Sequence, residues 1–245
     1  MKKLWHGVEK ILGIYRWHPK IALRYLPVVE KIKALGSTSS IVEVGSGGLG
    51  IAPYLKRQVV GVDLSFPPPL HPLLTPVLGS ATDLPFAARA FDIVVSLDMI
   101  EHIPPKLRER GIFEMLRVGK TLVCLGMPCG REAQLQDKQL EQEYKIKRGE
   151  GFDFLSEHLE YGLPTKQEIL SAIEGSARKL NLQIEVETIG NLNLSWRLWL
   201  MRGWLAQNFL VNLFFRKFLL LGIPAFRRLN QPPTYRQLFF VKIQR

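Results

Sequence analysis

Beyond Glu187 the 245-residue chain has no acidic residue, although Arg197, Arg202, Arg216, Lys217, Arg227, Arg228, Arg236, Lys242 and Arg245 all fall there. This absence excludes a balanced surface: part of the formal net charge of +11 is one-sided and points to an anionic partner. Cysteine is scarce. Cys124 and Cys129 alone exclude a disulfide framework, and reduced thiols in a cytoplasmic protein are expected. Lys2 and Lys3 are followed by His6, Glu9 and Lys10, which interrupt the apolar core that an export signal needs. The thirteen uncharged residues from Gly203 to Phe215 are too few to cross a bilayer as a helix. No repeat or low-complexity tract divides the chain, and no His, Cys, Asp or Glu cluster has metal-site spacing, so no metal is expected.

What is present begins with Ile41-Val42-Glu43-Val44-Gly45-Ser46-Gly47-Gly48-Leu49-Gly50, followed by Val59-Val60-Gly61-Val62-Asp63. The order reads strand, glycine turn, helix, strand, acidic residue. The β-branched runs suit strands buried on both faces. Gly45 and Gly47 permit a tight turn and close backbone approach to a ligand. Asp63, ending the second strand, suits the vicinal hydroxyls of a ribose. Together they predict an adenosine cradle.

Two further segments extend the pattern: Ala81-Thr82-Asp83-Leu84-Pro85-Phe86, and Ala90-Phe91-Asp92-Ile93-Val94-Val95-Ser96-Leu97-Asp98-Met99-Ile100-Glu101-His102-Ile103. With the E-x-G-x-G turn and its downstream Asp63, residues 38 to 130 resemble the class I S-adenosylmethionine-dependent methyltransferases of the small-molecule type. The resemblance implies S-adenosylmethionine as cofactor and methyl transfer as the reaction. The cofactor-binding set it implies is Glu43, Gly45, Ser46 and Gly47 at the methionine end and Asp63 with Leu64 at the ribose. Ser80, Ala81, Thr82 and Asp83 follow at the adenine, and Ser96 and Leu97 border the methionine and the acceptor. The chain departs from the family at Leu49, where a third glycine is frequent, and at Ser80, which follows Gly79 where an Asp is common. A cofactor-binding, membrane-associated protein without transfer activity is the alternative that these departures leave.

The implied fold is α/β, a doubly wound and mostly parallel seven-stranded sheet whose last strand is antiparallel. Strands are predicted near 40–45, 58–63, 75–79, 91–97, 121–126 and 182–189, with a final one over 235–242. A helix is expected near 105–117. A second follows the capping box Thr165-Lys166-Gln167-Glu168, with Ile169, Leu170, Ile173, Ala177 and Leu180 on one face. Residues 130 to 163 read as a loop or short helices bordering the substrate entrance. The expected organisation is a single methyltransferase-like domain. It has a helical cap over 1–35 broken at Pro19 and Pro27, a core over 36–130, a substrate-side segment over 131–190, an insertion over 191–233 and a last strand over 234–245.

The insertion is the second distinctive feature. It sets Trp196, Trp199, Trp204, Phe209, Phe214, Phe215 and Phe218 among leucines and arginines, where a hairpin would need only a short loop. It reads as a packed lid, a dimer interface, or an amphipathic element on an anionic membrane surface. The leucine-rich run disfavours nucleic acid, whose bases stack on aromatics in a polar groove. Among candidate catalytic groups, His102 is the better proton acceptor near neutral pH, and a helix-capping or core role is the alternative. The expected acceptor is a small molecule, amphiphilic or lipid-linked.

Overall fold

The computed structural model describes residues 17–36, 38–226 and 230–244; the expected cap helix before residue 17, together with Arg227, Arg228 and Arg245, lies outside them. Seven strands form one sheet: β1 (Ile41–Val44), β2 (Val59–Asp63), β3 (Leu74–Leu78), β4 (Phe91–Leu97), β5 (Gly119–Pro128), β6 (Gln183–Asn193) and β7 (Thr234–Gln244). Their order is β3-β2-β1-β4-β5-β7-β6. Pairs among β1 to β5 are parallel, whereas β7 runs antiparallel to both β5 and β6. The order reverses between β1 and β4, so a crevice opens at their carboxyl ends, where open α/β sheets bind ligands.

Alternation along the strands supplies two cores. Ile41, Ile93, Val95, Leu97, Leu122, Cys124, Leu238 and Phe240 face α1 (Pro19–Lys33), which contributes Ala22, Tyr25, Val28, Val29 and Ile32. On the other face, Val42, Val44, Val94, Val123, Leu125, Phe239 and Val241 meet α3 (Pro105–Val118) and α6 (Lys166–Lys179). Between β1 and β2 lies only the short α2 (Ala52–Leu55). Pro27 does not break α1 as expected. A proline at this position leaves the Leu23 carbonyl without its helical donor, and Asn191 Nδ2 from β6 donates to that carbonyl at 3.2 Å instead.

The segment after β5 differs most from expectation. Residues 131–148 form one long helix, α4 (Arg131–Arg148), and α5 (Asp153–Tyr161) follows. Neither proline nor glycine interrupts α4. It is supported by the i,i+4 pairs Glu141–Lys145 and Gln139–Glu143, while basic residues in its last turn complement the helix dipole. The capping box forms in both directions: the Glu168 amide donates to Thr165 Oγ1, and the Thr165 amide to Glu168 Oε2.

β6 and β7 pair as far as Asn193 and Thr234, so the insertion leaves from the very end of the hairpin. It folds as α7 (Leu194–Trp204), α8 (Phe209–Arg216), a 3₁₀ turn (Phe218–Gly222) and α9 (Ile223–Phe226). Its inner side packs Leu200, Met201, Trp204, Phe215 and Leu219 against Leu23, Leu140 and Leu155. Its outer side leaves Trp199 42 %, Phe209 71 %, Leu210 71 % and Leu221 72 % exposed. Among the described residues no helix is long and apolar enough to cross a membrane.

Candidate active site

A cavity of about 400 Å³ opens at the carboxyl ends of β1, β2 and β4. This lies within the size range of ordinary ligand pockets. Of the residues expected to bind the cofactor, Gly45, Asp63, Leu64, Ser80, Ala81 and Thr82 line it, and His102 forms part of the opposite wall. Val44, Val62, Gly79, Asp98, Met99, Ile103, Pro104 and Leu107 complete the lining; the motif reading did not assign them.

The turn after β1 is shaped for close approach. Gly45 has φ +77°, and a Cβ there would meet Met99 Cγ at 2.3 Å, so both backbone conformation and space require glycine. Asp63 then ties the two strands together. Its Oδ2 accepts from the Gly47 amide and its Oδ1 from the Leu64 amide, each at 2.8 Å. The Ser65 amide adds a longer bond to Oδ1 at 3.5 Å, and Oδ2 keeps a further lone pair, so the carboxylate is oriented yet still able to accept from a hydroxyl in the cavity. Leu64, 78 % exposed, presents an apolar side chain at the edge of the cavity. Ser80 and Thr82 share a hydroxyl–hydroxyl bond of 2.8 Å, and the Thr82 amide donates to Ser80 Oγ at 3.2 Å. Ser80 therefore organises the turn that presents Ala81 and Thr82.

Several expected contact residues stand elsewhere. Glu43 is fully buried on the α1 side of the sheet, where Tyr25 Oη donates to Oε1 and the Ile51 amide to Oε2, both at 2.6 Å. Burial raises its pKa to about 7 against the lowering effect of those two bonds. A Cβ on Gly50, at φ +49°, would lie 2.1 Å from Glu43 Oε2, so this carboxylate braces the glycine loop from behind. Ser46 and Gly47 are in the loop but do not line the cavity. Asp83 points out of it, exposed, with its amide donating to the Ser80 carbonyl. Ser96 and Leu97 are buried within β4. The loop after β4, rather than the strand end itself, provides the wall.

That loop begins with Asp98, in the left-handed region at φ +52°. Arg236 Nε and Nη2 bind its two oxygens at 2.5 and 2.6 Å, and Arg24 Nη1 adds a bond at 3.0 Å. Burial alone would raise its pKa, but the two guanidiniums outweigh this and hold Asp98 well below the usual carboxylate range. It fastens α1 and β7 to the cavity wall.

On the 3₁₀ turn Ile100–His102, His102 Nδ1 lies 2.5 Å from Glu157 Oε2. Burial lowers the imidazole pKa, partly offset by Glu157, which favours the uncharged ring. Behind it lies a buried polar array that the residue spacing did not reveal. His158 Nδ1 is 2.7 Å from Asp137 Oδ2, Arg197 Nη2 binds Asp137 Oδ1 at 2.5 Å, and Tyr235 Oη donates to Oδ2 at 3.1 Å. Glu101 Oε1 is 3.9 Å from His158 Nε2. Arg108 holds the array in place, donating to the Ile103 carbonyl at 3.0 Å and the Gly162 carbonyl at 2.6 Å, which staples the end of α5 to the loop.

Residues 42–123 match the family model described as "Methyltransferase domain", a stretch running from β1 into β5 that contains the glycine turn, Asp63, Ser80 and His102. Among curated proteins none matches the chain. Solved structures do. A SAM-dependent methyltransferase from Thermotoga maritima is 16 % identical over 98 % of this chain and 100 % of that one, with a TM-score of 0.53. A protein from Pyrococcus horikoshii is 16 % identical over 94 % of this chain and 92 % of that one, at 0.54. Magnesium protoporphyrin IX methyltransferase from Synechocystis, solved with bound SAH, is 11 % identical over 90 % of this chain and 82 % of that one, at 0.51. At these identities the likeness is one of fold. Residues 42–123 thus carry a methyltransferase domain, and the sheet order and the glycine cradle agree with the fold of the S-adenosylmethionine-dependent methyltransferases.

Proposed function

We propose that the protein methylates a small amphiphilic, lipid-linked acceptor taken from an anionic membrane surface, with His102 receiving the acceptor's proton. The observation that carries this reading is a run of aromatic and aliphatic side chains from the cavity wall to the outer face of the insertion. His102 lies 5.9 Å from the Phe154 ring, and Phe152 and Phe154 pack on the cluster that holds Trp204 and Phe215. Phe215 is 4.6 Å from Trp199, which stands with Phe209, Phe214, Phe218 and Leu221 on the exposed side. Exposed apolar surface of this kind marks an interaction site. Arg216 and Lys217 at the end of α8 place positive charge beside it, as headgroup phosphates require.

S-adenosylmethionine supplies a methyl group already activated on a sulfonium, so the protein's main task is alignment. The Gly45 turn and Asp63 would hold the cofactor's polar ends, while Met99, Ile103 and Leu107 keep the remaining wall apolar. The neutral His102 ring, oriented by Glu157, supports removal of a proton from an acceptor hydroxyl or amine.

The test is methyl transfer from labelled cofactor into a lipid extract, comparing the parent with His102→Ala. Turnover is expected to fall roughly 10²–10⁴-fold with cofactor affinity unchanged. Equal turnover when chemistry limits the rate would return His102 to a structural role. Label appearing only in water-soluble products would contradict the lipid-linked acceptor.

A further inference from the structure

Glu101, His102 and His158 come from two separate elements, yet one ligand atom from each lies within 4.8 Å of the others. Glu101 and His158 are fully buried. Neither Glu101 oxygen nor His158 Nε2 has a hydrogen-bond partner. Buried acceptors without donors are rare and call for an ion or water.

The hydrogen-bond partners of the two rings narrow the choice. Asp137 is held by Arg197 and Tyr235 and accepts at His158 Nδ1, which places that ring's proton on Nδ1 and leaves Nε2 as a bare lone pair. Glu157 does the same at His102 Nδ1. His158 Nε2, a ring nitrogen of His102 and the Glu101 carboxyl group therefore converge, burial favouring a proton on Glu101 that an ion would displace, and each histidine meets a carboxylate at Nδ1. This is the outer-shell arrangement by which proteins fix metal-binding imidazoles. The Arg108 staple and the Asp137–Arg197 pair already restrain the donors.

We propose that Glu101, His102 and His158 form a site for one divalent first-row transition ion of the Zn²⁺ class. Ligands about 2.1 Å from such an ion sit roughly 3.4 Å apart at tetrahedral angles, so the 3.9 Å between Glu101 and His158 needs a small closure, and His102, within 4.8 Å of both, a larger one. Two histidines and one carboxylate leave a coordination position open. His102 lines the cavity, so that position faces the space where the acceptor enters. The ion would orient an acceptor oxygen or nitrogen there, and this role, though not the site itself, rests on the methyltransferase reading. One lone pair on His102 cannot serve both ion and proton. Ion binding therefore replaces the base role with acidification of a coordinated acceptor.

The experiment uses untagged full-length protein, stripped with chelator and dialysed against Zn²⁺ or Co²⁺ with neither cofactor nor acceptor present. One ion per chain is expected by elemental analysis, with a Co²⁺ d–d absorption band. His102→Ala, at a residue about a quarter exposed and so tolerant of truncation, should weaken binding at least ~10-fold, and Asp137→Asn by about 10–100-fold through the outer shell. Sub-stoichiometric uptake by the parent, or equal affinity in His102→Ala, overturns the proposal and leaves Glu101 and His158 as a proton-sharing buried pair. S-adenosylmethionine binding measured on the same stripped protein separates the two readings, because it is expected to survive whichever way the ion result falls.

Discussion

The two walls of the cavity are built by different means. The wall formed by Gly45, Asp63 and Ser80 to Thr82 is mostly backbone and short polar side chains, tied by bonds such as Gly47 to Asp63 within one strand–turn–strand unit. The wall formed by Asp98, Met99 and His102 depends on charged side chains from α1, α4, α5, α7 and β7. The first suits a cofactor whose polar groups are the same in every turnover. The second stands beside the insertion between β6 and β7. The first wall is local in sequence; the second is assembled across the fold.

The largest effect that sharpens this contrast should come from the buried array. Replacing Asp137 with Ala strands Arg197 and His158 in the interior, so unfolding free energy should drop by about 3–5 kcal/mol in chemical denaturation. A loss comparable to that of a surface substitution would mean that the second wall is not held by this centre.

Glu43 gives a smaller, pH-dependent effect behind the first wall. Its folded pKa of about 7 lies above the value of 4.5 expected for an unfolded glutamate. The folded state therefore binds the proton more tightly, and this contribution is fully present below about pH 4.5 and is lost as pH rises to 7. Glu43→Gln should flatten that part of the stability–pH curve, which spans up to about 3 kcal/mol on the folded-minus-unfolded difference. An unchanged slope would show that Tyr25 and Ile51 keep the carboxylate ionised throughout.

The outer face of the insertion is expected to respond more weakly still. Changing Arg216 and Lys217 together to Gln should weaken association with anionic vesicles by about 1 kcal/mol per charge, and added salt should act in the same direction. Neutral vesicles isolate the apolar contribution of Phe209, Leu210 and Leu221. Parent protein that stays unbound to anionic vesicles at low salt would make the insertion a lid only.

The same division decides what was legible beforehand. β1, β2, β4, the glycine turn and Asp63 could be read because each depends on neighbours a few positions away, and the Thr165 capping box because its two partners are three residues apart. Asp98 gave no such signal: its arginine partner Arg236 is 138 positions downstream. Glu101 and His102 were visible as a pair, but His158 reaches them only because α5 folds back over the loop. Pro27 was misread for the same reason, since the donor that completes α1 comes from β6. Glu43 sat inside the motif yet faces the opposite core, because strand alternation turns it away from the cavity.

The central claim is that Gly45 and Asp63 build a site for S-adenosylmethionine, and calorimetric titration of the full chain tests it most directly. The parent should bind S-adenosylmethionine and its demethylated product at one site and in preference to NAD. Asp63→Ala, folded by circular dichroism, should lose roughly 1.5–3 kcal/mol of that affinity through the missing bonds to the ribose. Equal affinity for NAD, or an Asp63→Ala variant that binds as tightly as the parent, would contradict it.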